Sequence, residues 1–140
     1  MLKIPVFGNT QSVSGQLRTT VQQEANNKKM TTKNFKIKAD EFVNLVPPMG
    51  GCFATDKITV DGMKVGYMYH EEPDEKMDSG WRFFSGTESQ EYVDDPSNTM
   101  IYNVNTIANY DRAIVPYLNL PFGTELARIE NTDEFQIITE

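Results

Sequence analysis

Lys57-Ile58-Thr59-Val60-Asp61-Gly62-Met63-Lys64-Val65-Gly66-Tyr67-Met68-Tyr69-His70 is the stretch on which the fold turns. Residues 57–60 and 63–70 are rich in β-branched and aromatic side chains, and Asp61-Gly62 between them is the two-residue loop that a type I′ turn favours, since both of its central residues need positive φ. The pattern predicts a β-hairpin. In its second arm Met63, Val65, Tyr67 and Tyr69 share one face, expected to point at the core, and Lys64, Gly66, Met68 and His70 share the other.

Working outward, residues 71–80 read Glu71-Glu72-Pro73-Asp74-Glu75-Lys76-Met77-Asp78-Ser79-Gly80, five carboxylates and one lysine. Like charges at that density repel unless solvated or partnered, so the segment is expected to be an exposed loop. Trp81-Arg82-Phe83-Phe84-Ser85 follows, bounded by glycines. It reads as a strand with Trp81 and Phe83 on a core face and Arg82 and Phe84 on a partly exposed one.

Thr87-Glu88-Ser89-Gln90 has capping-box spacing, with Glu88 and Glu91 suited to a helix start, and Asp95-Pro96 closes that short helix. On the N-terminal side, Asp40 is placed to cap a turn through Phe42 and Leu45, and Pro47-Pro48 ends it. Residues 52–55 and 100–104 read as extended. Asp111 caps a helical turn over residues 113–118, early enough in which Pro116 is tolerated. Residues 124–130 and 134–139, joined by Asn131-Thr132-Asp133, form a closing hairpin. The expected class is therefore α+β: a mainly antiparallel sheet of about five to six strands with hairpins, plus two short helices.

A chain of 140 residues is the size of one domain. Residues 35–140 are expected to form that single α+β domain. Residues 1–34 are expected to be a polar, basic, poorly ordered or marginally helical arm, with Leu17, Val21 and Ala25 at helical spacing behind Ser14. No apolar run approaches the roughly 20 residues of a membrane-spanning helix. The N-terminus lacks the apolar stretch of a secretory signal, and Cys52 is the single cysteine, so a cytoplasmic location is expected.

Charge divides the chain. Residues 1–38 hold seven basic groups against Glu24, a net of +6, and the remainder holds six against nineteen acids, a net of −13. A body of that sign repels phosphate backbones and attracts cationic partners, so nucleic acid is not an expected ligand. The basic arm either stays solvated or lies against the acidic body.

Motifs for chemistry are missing. There is no phosphate-binding Gly-rich loop, no His-Glu-x-x-His, no cysteine pair at zinc spacing and no Gly-x-Ser-x-Gly elbow. His70 beside Glu71 and Glu72 reads as a surface imidazole, and Cys52, without a cationic neighbour in sequence, as a small core residue. Asp74, Glu75 and Asp78 lack the ligand order of an EF-hand loop. No catalytic, cofactor or metal residue is assigned, and the chain is read as not an enzyme. An aromatic flanked by acids and an arginine is also what a protein-binding hot spot looks like. The candidate partner-binding residues are therefore Glu71, Glu72, Asp74, Glu75, Asp78, Trp81 and Arg82. The alternative is a small-ligand or enzymatic pocket lined by Trp81, Tyr92, Tyr102 and Tyr110.

Gly50-Gly-Cys-Phe-Ala-Thr-Asp-Lys-Ile-Thr-Val-Asp-Gly-Met-Lys-Val-Gly-Tyr-Met-Tyr69, then Asp78-Ser-Gly-Trp-Arg-Phe-Phe-Ser-Gly86 and Ile107-Ala-Asn-Tyr-Asp111, resembles the bacterial domain of unknown function twenty-one eighty-five, also curated as predicted immunity protein family thirty-three. The resemblance covers about residues 50–138. It implies a protein that neutralises a toxin by binding it, and it brings no catalytic residues.

Overall fold

The computed structural model describes residues 33–138. Six strands form one sheet: β1 (Gly51–Thr55), β2 (Tyr67–His70), β3 (Asp78–Phe84), β4 (Thr99–Asn103), β5 (Glu125–Arg128) and β6 (Phe135–Ile137). They lie in the order β4-β1-β3-β2-β5-β6. Every pairing is antiparallel except β1 with β3, which run parallel. Three short α-helices accompany them: α1 (Asp56–Thr59), α2 (Gln90–Asp94) and α3 (Val104–Tyr110). The α+β class and the strand count agree with the sequence pattern, with one more helix. The basic arm lies outside the described residues except at its end. There Lys33 Nζ reaches Asp56 Oδ1 and the Ser97 carbonyl, each at 2.8 Å.

The hairpin expected at Asp61-Gly62 does not form. Residues 56–59 are helical, with Asp56 in the first turn where a carboxylate suits the exposed N–H groups. Ile58 and Thr59 are both fully buried, which consecutive residues of a strand with one buried face could not be. Gly62 does adopt positive φ, +79°, but it serves to leave the helix, its N–H donating to the Ile58 carbonyl. Local β propensity thus yields to burial.

The pair expected there forms instead across the acidic segment. Strands β2 and β3 are hydrogen-bonded neighbours, with Tyr69 opposite Arg82 and His70 opposite Trp81, and residues 71–77 connect them. Gly80 permits the close approach at the mouth of this loop. It has φ of +91°, and a Cβ there would lie 2.2 Å from the Glu71 carbonyl oxygen. The Glu71 N–H donates back to the Gly80 carbonyl at 2.9 Å.

Both faces of the sheet are covered. On one, Cys52 and Ala54 of β1, Met68 of β2, Trp81 and Phe83 of β3 and Leu126 of β5 pack against Val104, Ile107 and Ala108 of α3 and Ile114 and Leu118 of the 3-10 turn that follows. On the other, Tyr67, Tyr69 and Phe84 gather with Val93 of α2. Val65 enters the main core as expected, but Met68 takes the place there expected of Tyr67 and Tyr69, which are buried on the opposite face, and Met63 is exposed. Arg82 and Phe84 are not partly exposed either. Both are buried, because α2 and the aromatic residues of β1 and β2 cover their face.

The caps are shifted where the sequence offered neighbouring candidates. Ser89, not Thr87, caps α2 by accepting from the Tyr92 N–H, and Asp95 ends it. Glu88 instead receives the Ser85 and Gly86 N–H groups and the Thr55 hydroxyl, tying the ends of β3 and β1 together. Asp40 sits inside a 3-10 turn, Ala39–Glu41, that Glu41 closes by accepting from the Lys38 N–H. Asp111 caps the 3-10 turn Arg112–Tyr117 as its spacing suggests, accepting from the Ala113 N–H. It is itself buried against Arg128, which also reaches Asp133 in the β5–β6 connection. Val104, read as the end of an extended run, instead opens α3, which continues to Tyr110.

Gly123 also has positive φ, +95°, but open space where a Cβ would go. Gly123→Ala should cost about 1–3 kcal/mol, the usual strain of left-handed backbone. Gly80→Ala should cost distinctly more, because the β2–β3 ladder must also part. Urea unfolding midpoints of the two variants check this order.

Candidate functional site

Strand register decides which acids of the 71–80 segment face inward. Residues 78, 80, 82 and 84 share one face of β3, so Asp78 and Arg82 stand side by side on it. The Arg82 guanidinium has no exposed surface. Its Nη1 and Nη2 donate to the two oxygens of Asp78, each at 2.8 Å, and its Nε donates to Glu71 Oε2 at 2.7 Å. The ring of Phe53, in β1, lies 4.7 Å from the guanidinium carbon. Burial works against the Arg82 charge, but the two-point grip of Asp78, followed by Glu71, outweighs it and raises the Arg82 pKa above its ordinary value.

Two of the five carboxylates are thus structural. Asp78 is buried, and its Oδ1 also accepts the Gly80 N–H. Glu71 is largely covered. Glu72 and Asp74 are exposed, Glu75 is half-buried, and Met77 beside them is 83% exposed. Of the seven candidate partner-binding residues, the structure therefore brings Glu71, Asp78 and Arg82 together as an internal ion cluster. It leaves Glu72 and Asp74 exposed on the loop, with Glu75 half-buried between them and β3.

Trp81 belongs to the interior as well. It has no exposed surface and donates its indole N–H to the Leu118 carbonyl at 3.2 Å. His70 stacks flat on it, with centroids 4.4 Å apart. The imidazole is not the solvent-facing group expected beside Glu71 and Glu72. Its Nδ1 lies 2.8 Å from the Leu120 carbonyl and its Nε2 lies 2.9 Å from the Ser79 carbonyl, so the ring joins β3 to the 120–124 turn.

The four aromatics of the ligand-pocket reading are engaged separately. Tyr102 hydroxyl pairs with Thr59, Tyr110 with the Ile37 backbone, and Tyr92 lies under the Lys57 ammonium. Burial, then the nearby carboxylates of Asp56, Glu88 and Asp61, push the Tyr92 hydroxyl up to about 12. None of the four lines either of two clefts on the surface. One is formed by residues 44–50 and 103–105, the other by residues 69–72 and 122–125. The Cys52 thiol is buried and pushed well above its ordinary value by desolvation, with Arg82 pulling the other way, which makes it a poor nucleophile. Among the described residues no group of three or more His, Cys, Asp or Glu is placed to hold a metal ion, and no helix is long and apolar enough to cross a membrane.

Sequence reasoning missed the internal use of Glu71 and Asp78, although the even spacing of Asp78 and Arg82 in a strand was a signal for it. A buried pair that loses one partner typically costs about 3–5 kcal/mol, whereas replacing both by apolar groups costs far less. Asp78→Asn should therefore destabilise the fold by about that amount. Adding Arg82→Met together with Glu71→Gln, so that no charge of the cluster is left without its partner, should recover a large part of the loss, as read from the corresponding mutant cycle by chemical unfolding.

A family model described as the Immunity protein Imm33 domain matches residues 52–139. No curated protein and no solved structure matches the chain.

Proposed function

The chain belongs to the Imm33 immunity protein family, and from that premise we propose that it is a non-enzymatic protein that neutralises a cationic toxin domain by binding it directly. The partner-facing element is the β2–β3 loop, with Glu72, Asp74 and Glu75 providing the charge and Met77 an apolar contact beside them. The observation that carries this reading is the division of carboxylates within one loop. Two are consumed by Arg82 in fixing the loop's base, whereas Glu72 and Asp74 are exposed and Glu75 is half-buried beside them.

The electrostatics support the same reading. The −13 of residues 39–140 favours encounter with a basic surface and raises association rates at low salt. Inhibition by occlusion needs no acid, base or nucleophile of its own. That suits a chain whose histidine is committed to two carbonyls and whose thiol is buried. A protein partner is also the kind of ligand an exposed loop reaches without a deep pocket. We place the protein in the cytoplasm, where an immunity protein meets an incoming toxin.

The test is capture of a toxin domain, sought first among the products of genes beside this one. Neutralising Glu72, Asp74 and Glu75 together, as Gln, Asn and Gln, should slow association by about tenfold or more at low salt and flatten its salt dependence. Glu71 and Asp78 are left intact, since changing them disturbs the fold. Unchanged capture and unchanged salt dependence would refute this surface.

A further inference from the structure

The cleft between the β2 end and the 122–124 turn has a volume of about 460 Å³ and a chemistry of its own. Three carboxylate residues line it, Glu71, Glu72 and Glu125, and none of the described lysines or arginines does. Glu71 is held by Arg82, which leaves Glu72 and Glu125 to face a ligand. Glu125 opens β5 directly opposite Tyr69. Its Oε1 lies beneath the accessible surface and accepts no hydrogen bond from the described residues. A buried acceptor without a donor typically costs about 1–3 kcal/mol, so a turn of the half-buried Glu125 side chain that brings this oxygen to an N–H in the cleft gains more than the same bond at an open surface.

The aromatic wall is Phe122, 53% exposed. It rests edge-on against the His70 ring at 4.6 Å, and His70 is itself clamped by Trp81 and two backbone carbonyls. The turn carrying Phe122 is pinned to β2 by two backbone bonds, Gly123 N–H to the His70 carbonyl at 2.6 Å and His70 N–H to the Thr124 carbonyl at 3.0 Å. The wall is therefore preformed, and little ordering is required when a ligand enters.

A rigid aromatic face, an orphaned carboxylate oxygen and a second carboxylate together ask for a flat cation with several donors. A guanidinium has that shape: it stacks on a ring and divides its N–H groups between two acids, whereas an ammonium is a compact, strongly hydrated point charge. We propose that this cleft receives an arginine side chain of the protein partner. The inference rests on the binding reading above and gives it a specific anchor, adjacent to the β2–β3 loop through Glu71 and Glu72.

Titration of the full chain with N-acetyl-arginine amide, followed by backbone amide shifts, tests the cleft without a partner. Saturable shifts at Glu72, Gly123, Thr124 and Glu125 are expected, with a dissociation constant on the order of millimolar. The neutral citrulline analogue should give none. Glu125→Gln and Phe122→Ala should each weaken binding about tenfold or more. Equal shifts from citrulline, binding that survives both substitutions, or equal binding of the lysine analogue would overturn the proposal.

The two variants are then compared with the wild type in capturing that toxin domain. If the wild type captures it and both variants do so equally well, the arginine anchor fails while the immunity reading stands. If the wild type captures nothing, the immunity reading fails, and the anchor to a protein partner fails with it.

Discussion

A guanidinium with no exposed surface sits on an interior strand of the sheet, and the rest of the molecule is arranged around neutralising it. An isolated buried charge costs several kcal/mol even after relaxation, so Arg82 is tolerable only because its partners come with it. Asp78 is supplied from the same strand, four residues earlier, by the period-two alternation of β3. Glu71 is supplied from across the β2–β3 pair, and Phe53 closes the site from β1. Three strands are thus held in one register by a single side chain.

That constraint also explains how so acidic a connection can exist. Loop residues 71–77 and Asp78 would repel one another as a free chain, yet the two carboxylates nearest the strand ends are neutralised by Arg82, and Gly80 lets the strands close behind them. The remaining acids then stand out from a rigid base. Fold and surface are coupled: the charge that stabilises the hairpin interior is the reason that the outward charge has a fixed place. The neighbouring cleft shares the base, since His70 bonds Ser79 at one ring nitrogen and the chain before Phe122 at the other.

Much of the sheet was legible from local pattern. Strands β1 and β4, residues 81–84 of β3 and the β5–β6 hairpin follow β-rich runs bounded by turn residues, whereas residues 78–80, expected in the exposed loop, open β3 with Asp78 and Gly80 buried; Asp95 and Asp111 end and begin their turns as their chemistry suggests. Residues 57–60 were not legible, because Ile58 and Thr59 are both buried by the tertiary packing of α1, and no period within four residues reports that. The glycine of Asp61-Gly62 was correctly read as needing positive φ, but the same dihedral ends a helix as readily as it makes a hairpin. Helix α3 carried its signal in Val104, Ile107 and Ala108, at helical spacing, and the preceding extended run obscured it. At the candidate site the acidic segment was recognised. Its division into inward and outward carboxylates depends on strand pairing, which sequence alone left open.

Hydrogen exchange of the full chain, free and bound to a captured protein partner, tests most directly whether the Arg82-anchored loop is the face that meets it. Added protection at residues 71–77 and 122–125 is the expected result. Protection confined to residues 43–50 and 103–105, at the other cleft, with the β2–β3 loop exchanging as in the free protein, would contradict it.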